Sequence, residues 1–319
     1  MQRRQLGRTG LRVSRLGLGT WLWGEDTDEH EARDQLTAFV ECGGTLVDTA
    51  AGYGDGLSER ILGDLIGDVV ARDDVVLATK AGTRRRGGPP VVDTSRGTML
   101  AQLDASLNRL GVDDVDLWQV HVWSDDVPWE ETLSAVDHAW TSGRARYVGI
   151  SNYSGWQTSM AATWQRVHGR APLASTQVEY SLLNRQVEDE VLPAARALGL
   201  GVLAYTPLGG GVLTGKYRHG VPADSRAASP QHEATLAGYL KERERGIVEA
   251  VVRAAEGLEL TPPEVALAWV RDRPGVTAPI VGARTAGQLR ASLRAEDVEL
   301  PPQIVEALDD VSDDTVPGV

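Results

Sequence analysis

Short apolar runs rich in β-branched residues recur along the chain: RLGLGT (15–20), TLVDTA (45–50), VVLATK (75–80), DLWQVH (116–121), ARYVGIS (145–151), STQVEY (175–180), GVLAYTP (201–207) and APIVGA (278–283). Their hydrophobicity is nearly continuous rather than alternating, the pattern of strands buried on both faces of a parallel sheet. Between them the apolar positions change to helical spacing. Residues 28–43 begin with acids and end at Gly43, as the helix dipole favours. Residues 94–111 open with Thr94 or Ser95 as cap and align Met99, Leu100, Leu103, Leu107 and Leu110 on one face. Residues 128–143 start at a proline and close on Gly143, and helical patterns follow at 188–199, where Pro193 falls early, and 261–272.

Strand followed by helix, repeated with no break in composition, predicts an α/β fold: a single (β/α)8 TIM barrel that makes residues 1–319 one domain. A doubly wound open sheet shares this local grammar, but the GxGxxG fingerprint after the first strand is absent. The stretch before the first strand reads as a β-hairpin turned at Arg8–Gly10, placed to plug the lower mouth of the barrel. Residues 208 to about 245 form a long polar, glycine-rich connection after the seventh strand. Connections beyond about 12–15 residues are usually functional or disordered, and Lys216, Arg218 and Arg226 favour function.

Composition narrows the class. With 42% hydrophobic and 24% charged residues this is an ordinary globular chain, and no apolar run approaches the ~20 residues that span a bilayer. A net charge of −13 disfavours nucleic acid as partner. The single Cys42 and the polar N-terminus lead us to expect a cytoplasmic protein. Only Lys80, Lys216 and Lys241 among the 32 basic residues are lysine, and only Asn108, Asn152 and Asn184 are asparagine. A Lys or Asn here stands against a coding bias, so its position is informative.

Barrel chemistry sits at the C-terminal ends of the strands. Those ends carry Asp48, Lys80 and His121, with Ser151 and Asn152 after the fifth strand, Gln177 in the sixth and Tyr205 near the end of the seventh. Tyr53 lies in the glycine-rich loop DTAAGYGDG after the second. Each residue alone has a structural explanation; a histidine at a strand end is more often structural than catalytic. Four titratable groups converging on one rim are harder to explain that way. A phenol has an ordinary pKa of about 10, an adjacent ammonium favours its phenolate, and a carboxylate would hold that ammonium in place. Phenol, ammonium, carboxylate and imidazole then form one acid–base unit.

The motifs LGLGTW, DTAAGYGDGLSE, LATK, LWQVH, YVGISNYS, TQVEYSLLNR, YTPLGGGVLTGKY and VGARTAGQL, in this order along nearly the whole chain, resemble the aldo-keto reductases. GKYRHGVPADSRA is similar to the branch containing the potassium-channel beta subunits. The resemblance implies reversible NADPH-dependent reduction of an aldehyde or ketone, with Tyr53 as proton donor, Lys80 and Asp48 tuning it and His121 orienting the carbonyl. It further implies NADP(H) contacts at Thr20, Trp21 and Asp48, at Ser151, Asn152 and Gln177 for the carboxamide, and at Tyr205 for the ring. Thr206, Pro207, Leu208, Gly209, Gly211 and Lys216 would follow the pyrophosphate beneath the long connection. Ser225, Arg226, Gly282, Arg284 and Gln288 would surround the adenosine end. Ser292 departs from the family, which usually carries Asn there. Trp21, Trp23 and Trp123, with Tyr53 and His121, are the expected substrate pocket. No residue set is assigned to a metal, and nothing in the chain selects a particular carbonyl or an oligomeric state. A second reading is a redox-sensing regulatory subunit that binds NADP(H) and turns over poorly. Channel subunits commonly carry Asn where this chain has His121, which favours the enzyme.

Overall fold

The structure, a computed structural model, describes residues 1–84, 91–222, 225–228 and 236–313. An antiparallel pair, β1 (Arg3–Gln5) and β2 (Arg12–Ser14), precedes the first barrel strand, β3 (Gly17–Gly19). The chain then runs α1 (Glu29–Glu41), β4 (Leu46–Asp48), α2 (Leu57–Leu65) and β5 (Val76–Ala81), followed by a short antiparallel ribbon, β6 (Thr83–Arg84) with β7 (Val91–Val92). Next come α3 (Arg96–Leu110), β8 (Val115–Val120), α4 (Trp129–Thr141), β9 (Ala145–Ser151), α5 (Gly155–Val167), β10 (Leu173–Glu179), α6 (Val191–Leu198) and β11 (Gly201–Tyr205). After the long connection follow α7 (Glu242–Gly257), α8 (Pro262–Arg271), β12 (Val276–Val281), α9 (Ala286–Leu293) and α10 (Pro302–Ser312). Strands β3, β4, β5, β8, β9, β10, β11 and β12 pair in parallel and close into a barrel.

Local chemistry explains the boundaries. Asp28 caps α1 by accepting from the Glu31 amide, and reciprocal capping boxes start α5 at Ser154–Gln157 and α8 at Thr261–Glu264. Pro193 falls in the first turn of α6, where a missing N–H costs least. The predicted strand 45–50 is regular only to Asp48, although the Thr49 and Ala51 amides still donate to β5 carbonyls before the chain curls away toward Tyr53. The predicted strand 201–207 stops at Tyr205 because Thr206 takes φ +53° and Pro207 has no amide hydrogen.

The barrel interior is built in layers, since residues two apart on a strand face the same way. Leu46, Ala78, Leu117, Leu203 and Ala278 form one buried cluster with Leu6 and Val13, so the hairpin does close the lower mouth. Two residues further along, four of these five strands turn polar, at Asp48, Lys80, Gln119 and Tyr205, while β12 carries Ile280. The apolar floor therefore carries a polar layer at the C-terminal end.

Glu59 on α2 is 0% exposed. It accepts from Thr79 at 2.5 Å and from Arg109 of α3 at 2.6 and 2.8 Å. The Arg109 guanidinium also covers Gly56, where a Cβ would lie 2.8 Å from its Nε. Removing one partner of a buried ion pair leaves an uncompensated charge. Arg109→Ala is expected to lower unfolding stability by about 3–5 kcal/mol in urea titrations, with Glu59→Gln in the same chain restoring part of it. A loss below about 1 kcal/mol, the scale of an exposed pair, would contradict this.

Candidate active site

The segment after β4 reverses sharply: Gly54, Asp55 and Gly56 all take positive φ (54°, 53° and 90°), which returns Tyr53 over the barrel mouth. Glycine adopts this region at little cost, and Asp is one of the few other residues that tolerates it. Beneath Tyr53, the Lys80 side chain is 1% exposed. Its Nζ donates to Asp48 Oδ2 at 2.6 Å, to the Thr49 carbonyl at 2.9 Å and to Tyr53 Oη at 3.3 Å. The other Asp48 oxygen accepts from Gln177 Nε2 at 2.8 Å, so both carboxylate oxygens are satisfied. The His121 ring meets Tyr53 edge-on at 5.7 Å between centroids, and its Nδ1 lies 3.0 Å from Thr83 Oγ1. The four sequence-distant titratable groups are thus one contact network.

Their protonation follows from burial. Desolvation raises the Tyr53 pKa above 10.0, outweighing the lowering by Lys80, and Asp48 adds to the rise. The ammonium does favour the phenolate, as expected, but burial outweighs it and the phenol keeps its proton. Burial alone would lower Lys80, but Asp48 and then Tyr53 raise it overall, so it stays an ammonium. Burial, with Lys80 adding to it, pushes the His121 imidazole from 6.5 down to about 3.

This network forms one end of a cavity of about 690 Å³. Trp21, Tyr53, His121, Ser151, Asn152, Gln177 and Tyr205 line that end. Asn152, at φ +58°, donates to the His121 carbonyl at 2.9 Å and accepts from Tyr205 Oη at 2.7 Å, fixing the Tyr205 ring on the wall. From there the lining runs along Thr206, Pro207, Leu208 and Gly211 to Lys216, and across the end of β12 at Gly282 to Arg284, Gln288 and Ser292.

The donor set fits a nicotinamide dinucleotide. Among the described residues no donor takes Gln177 Oε1, and Ser151 presents its hydroxyl, so an acceptor and a donor face the cavity where a carboxamide needs both. The Gly209–Gly211 run has positive φ throughout, and a Cβ on Gly210 would collide with Leu236 at 2.3 Å, so only bare backbone fits this wall. Among the described residues no carboxylate pairs with Lys216; its Nζ lies over the Tyr217 ring, 5.0 Å from the centroid.

Several expected contacts fall elsewhere. Trp23 is fully buried in the core with its indole N–H on Gln35 Oε1 at 3.0 Å, so it does not line the substrate pocket. Trp123 is likewise outside the cavity lining; it packs edge-on against Tyr153 and Trp156 and donates to Asp125. Thr20 is buried with its hydroxyl engaged by Ser58 at 2.7 Å, joining β3 to α2, and it is not in the cavity lining although its neighbours Gly19 and Trp21 are. Gly209 packs on Leu183, where a Cβ would sit 2.5 Å from Cδ1, and is not part of the lining. Ser225 is buried, without a hydroxyl partner among the described residues, and also outside the lining. The Arg226 side chain lies outside the described residues. Conversely, Glu179 and Tyr239 line the cavity and bond to each other, although the sequence reading passed over both. Glu179 had a signal, standing two residues after Gln177 on the same face of β10.

A parallel barrel with a phenol, ammonium, carboxylate and imidazole at its C-terminal mouth and a dinucleotide-shaped cleft defines an oxidoreductase architecture. Residues 15–313 match the family model of the Aldo/keto reductase family. The chain belongs to that family. It is 38% identical over 320 residues to the uncharacterized oxidoreductase YrpG of Bacillus subtilis, covering 98% of this chain and 96% of the relative. It is 35% identical over 303 residues to L-glyceraldehyde 3-phosphate reductase of Escherichia coli, covering 92% and 87%. A probable voltage-gated potassium channel subunit beta of Oryza sativa subsp. japonica is 35% identical over 325 residues, covering 98% and 96%.

The low His121 pKa has a consequence for stability. Between about 3 and 6.5 the unfolded chain binds a proton at this histidine that the folded chain does not. Stability from this group is therefore complete above pH 6.5 and falls as pH drops through that window. Between pH 6.5 and 5 the unfolding free energy of wild type should fall more steeply than that of His121→Asn, by up to about 1.4 kcal/mol per pH unit. Urea titrations across this range measure it, and identical slopes would contradict an imidazole held neutral in the folded chain.

Proposed function

We propose that the protein reduces an aldehyde or ketone to the alcohol, reversibly and with NADPH, and that residues 1–319 act as one reductase domain. The observation that carries this reading is Lys80 Nζ lying within 2.6 Å of Asp48 and 3.3 Å of Tyr53 Oη, directly under a cleft that runs to Lys216 and Arg284. A bound reduced nicotinamide supplies the hydride to the carbonyl carbon.

Tyr53 donates its proton to the oxygen as charge develops there, and Lys80 limits the cost of the resulting phenolate. His121, neutral, orients the oxygen. Gln177 and Ser151 hold the carboxamide while Tyr205, locked by Asn152, packs on the ring. The bare glycine backbone and Lys216 take the pyrophosphate. Arg284, with its planar fork, and Gln288 take the adenosine 2′-phosphate, which is the basis for preferring NADPH over NADH. Ser292 and Ala291 line this wall, and Ser292 is shorter than the Asn the family usually carries there.

One relative is a channel subunit, but the intact four-group network with His121 favours turnover over a purely sensing role. The relative that reduces L-glyceraldehyde 3-phosphate makes short aldehydes a sensible start for a substrate panel. The test is NADPH oxidation against aldehydes and ketones, with NADH alongside. Wild type is expected to turn over faster at lower concentration with NADPH. Tyr53→Phe should lose on the order of 10²–10⁴ in kcat while NADPH binding, followed by fluorescence, stays unchanged. A phenylalanine variant near wild-type rate would remove Tyr53 from the role, and equal use of both cofactors would remove Arg284 from its own.

A further inference from the structure

His121 has two ring nitrogens, and the hydrogen bond at one decides what the other offers to substrate. A neutral imidazole carries one N–H only. If that hydrogen sits on Nδ1, Nε2 carries a lone pair and repels a carbonyl oxygen brought to it. If it sits on Nε2, the ring can donate.

The group facing Nδ1 is Thr83 Oγ1, 3.0 Å away on β6. Among the described residues this hydroxyl has no other partner within hydrogen-bonding distance. Its residue is held from three sides. Thr83 pairs with Val92 across the short ribbon, and its carbonyl accepts from Gln102 Nε2 of α3 at 3.4 Å. Gln102 also accepts the neighbouring Gly82 amide at 2.8 Å. On the third side lies Gly52, the residue before Tyr53: a Cβ there would come within 2.9 Å of Thr83 Oγ1. The hydroxyl is thus wedged between the loop that carries the acid and the ring that faces it.

We propose that Thr83 is a positioning residue: its hydroxyl donates to His121 Nδ1 and so fixes the tautomer with hydrogen on Nε2. Given the reductase reading above, this supplies a second donor to the carbonyl oxygen that Tyr53 protonates. Thr83 touches neither substrate nor cofactor and acts only through the imidazole. Two donors suit an acceptor with two lone pairs, whereas the other tautomer would leave one lone pair opposed.

The tautomer is read by 15N NMR of the protein labelled at histidine, at pH 7 and without cofactor. His121→Asn identifies the resonances among the six histidines. Wild type should show a protonated Nε2 and a hydrogen-bonded, unprotonated Nδ1. Thr83→Val keeps the shape and removes the donor. It should lose that signature, and its kcat should fall on the order of tenfold or more, short of the ~10²–10³ lost with a whole donor. Thr83→Ser should restore both, with NADPH affinity and thermal stability near wild type. A wild-type Nδ1–H, or a valine variant that keeps both signature and rate, would overturn the proposal. Equal damage by valine and serine would do the same, because it would make the role one of packing. The NMR readout does not depend on turnover, so a protein that reduced no carbonyl would sink the reductase reading while leaving Thr83 tested on its own.

Discussion

An ammonium buried beneath the C-terminal mouth of a barrel is the constraint on which the rest of the site depends. Taking an ion out of water costs several kcal/mol even after relaxation, and Lys80 is 1% exposed. The chain offsets that cost with three acceptors: the Asp48 carboxylate, the Thr49 carbonyl and the Tyr53 hydroxyl. Asp48 is itself satisfied by Gln177 from the far side of the barrel. Losing any one of them leaves a buried polar group without its partner, so the positions of β4, β5, β10 and the Tyr53 loop are coupled through one nitrogen atom.

Small residues make room for this layer. Gly17 and Gly19 on β3 lie against Ile280, which a Cβ would approach to 2.6 and 2.8 Å, and Gly149 on β9 lies against Ser175 at 2.4 Å. With glycine at these places the interior holds a carboxylate, an ammonium and two amides above an apolar floor. Outside the barrel, Glu59 and Arg109 hold the loop that returns Tyr53 over the ammonium. Asn152 and Thr206, both at positive φ without being glycine, lie on the cavity wall. Strained backbone gathered at a site is consistent with side chains held in place before ligand arrives.

Much of this was legible from residue order. Strand ends locate barrel chemistry, and of the six residues marked by the scarcity of lysine and asparagine, Lys80, Lys216 and Asn152 stand at the network or the cleft while Lys241, Asn108 and Asn184 lie outside the lining. What failed depends on side-chain direction or burial, which strand counting does not carry. Trp23 and Trp123 lie near the rim in sequence, yet one points into the core and the other packs on Trp156. Thr20 and Gly209 are spent on packing. The net rise at Tyr53 was not legible because a nearby cation is visible in sequence and desolvation is not. Tyr239 escaped notice because it reaches the cavity from the long connection, far from any strand end.

The central claim is that a compact ammonium, and not merely a positive charge, holds the acid. Lys80→Arg tests it most directly, because the charge is kept and the group becomes broad and planar. The measurement is kcat for carbonyl reduction against pH, with thermal unfolding as a control for folding. Wild type should keep a constant rate through neutrality and fall only above pH 10.0, where its raised phenol pKa lies. The arginine variant should fold, lose most of its rate and show a displaced alkaline limb. Full activity with an unchanged pH profile would contradict the account.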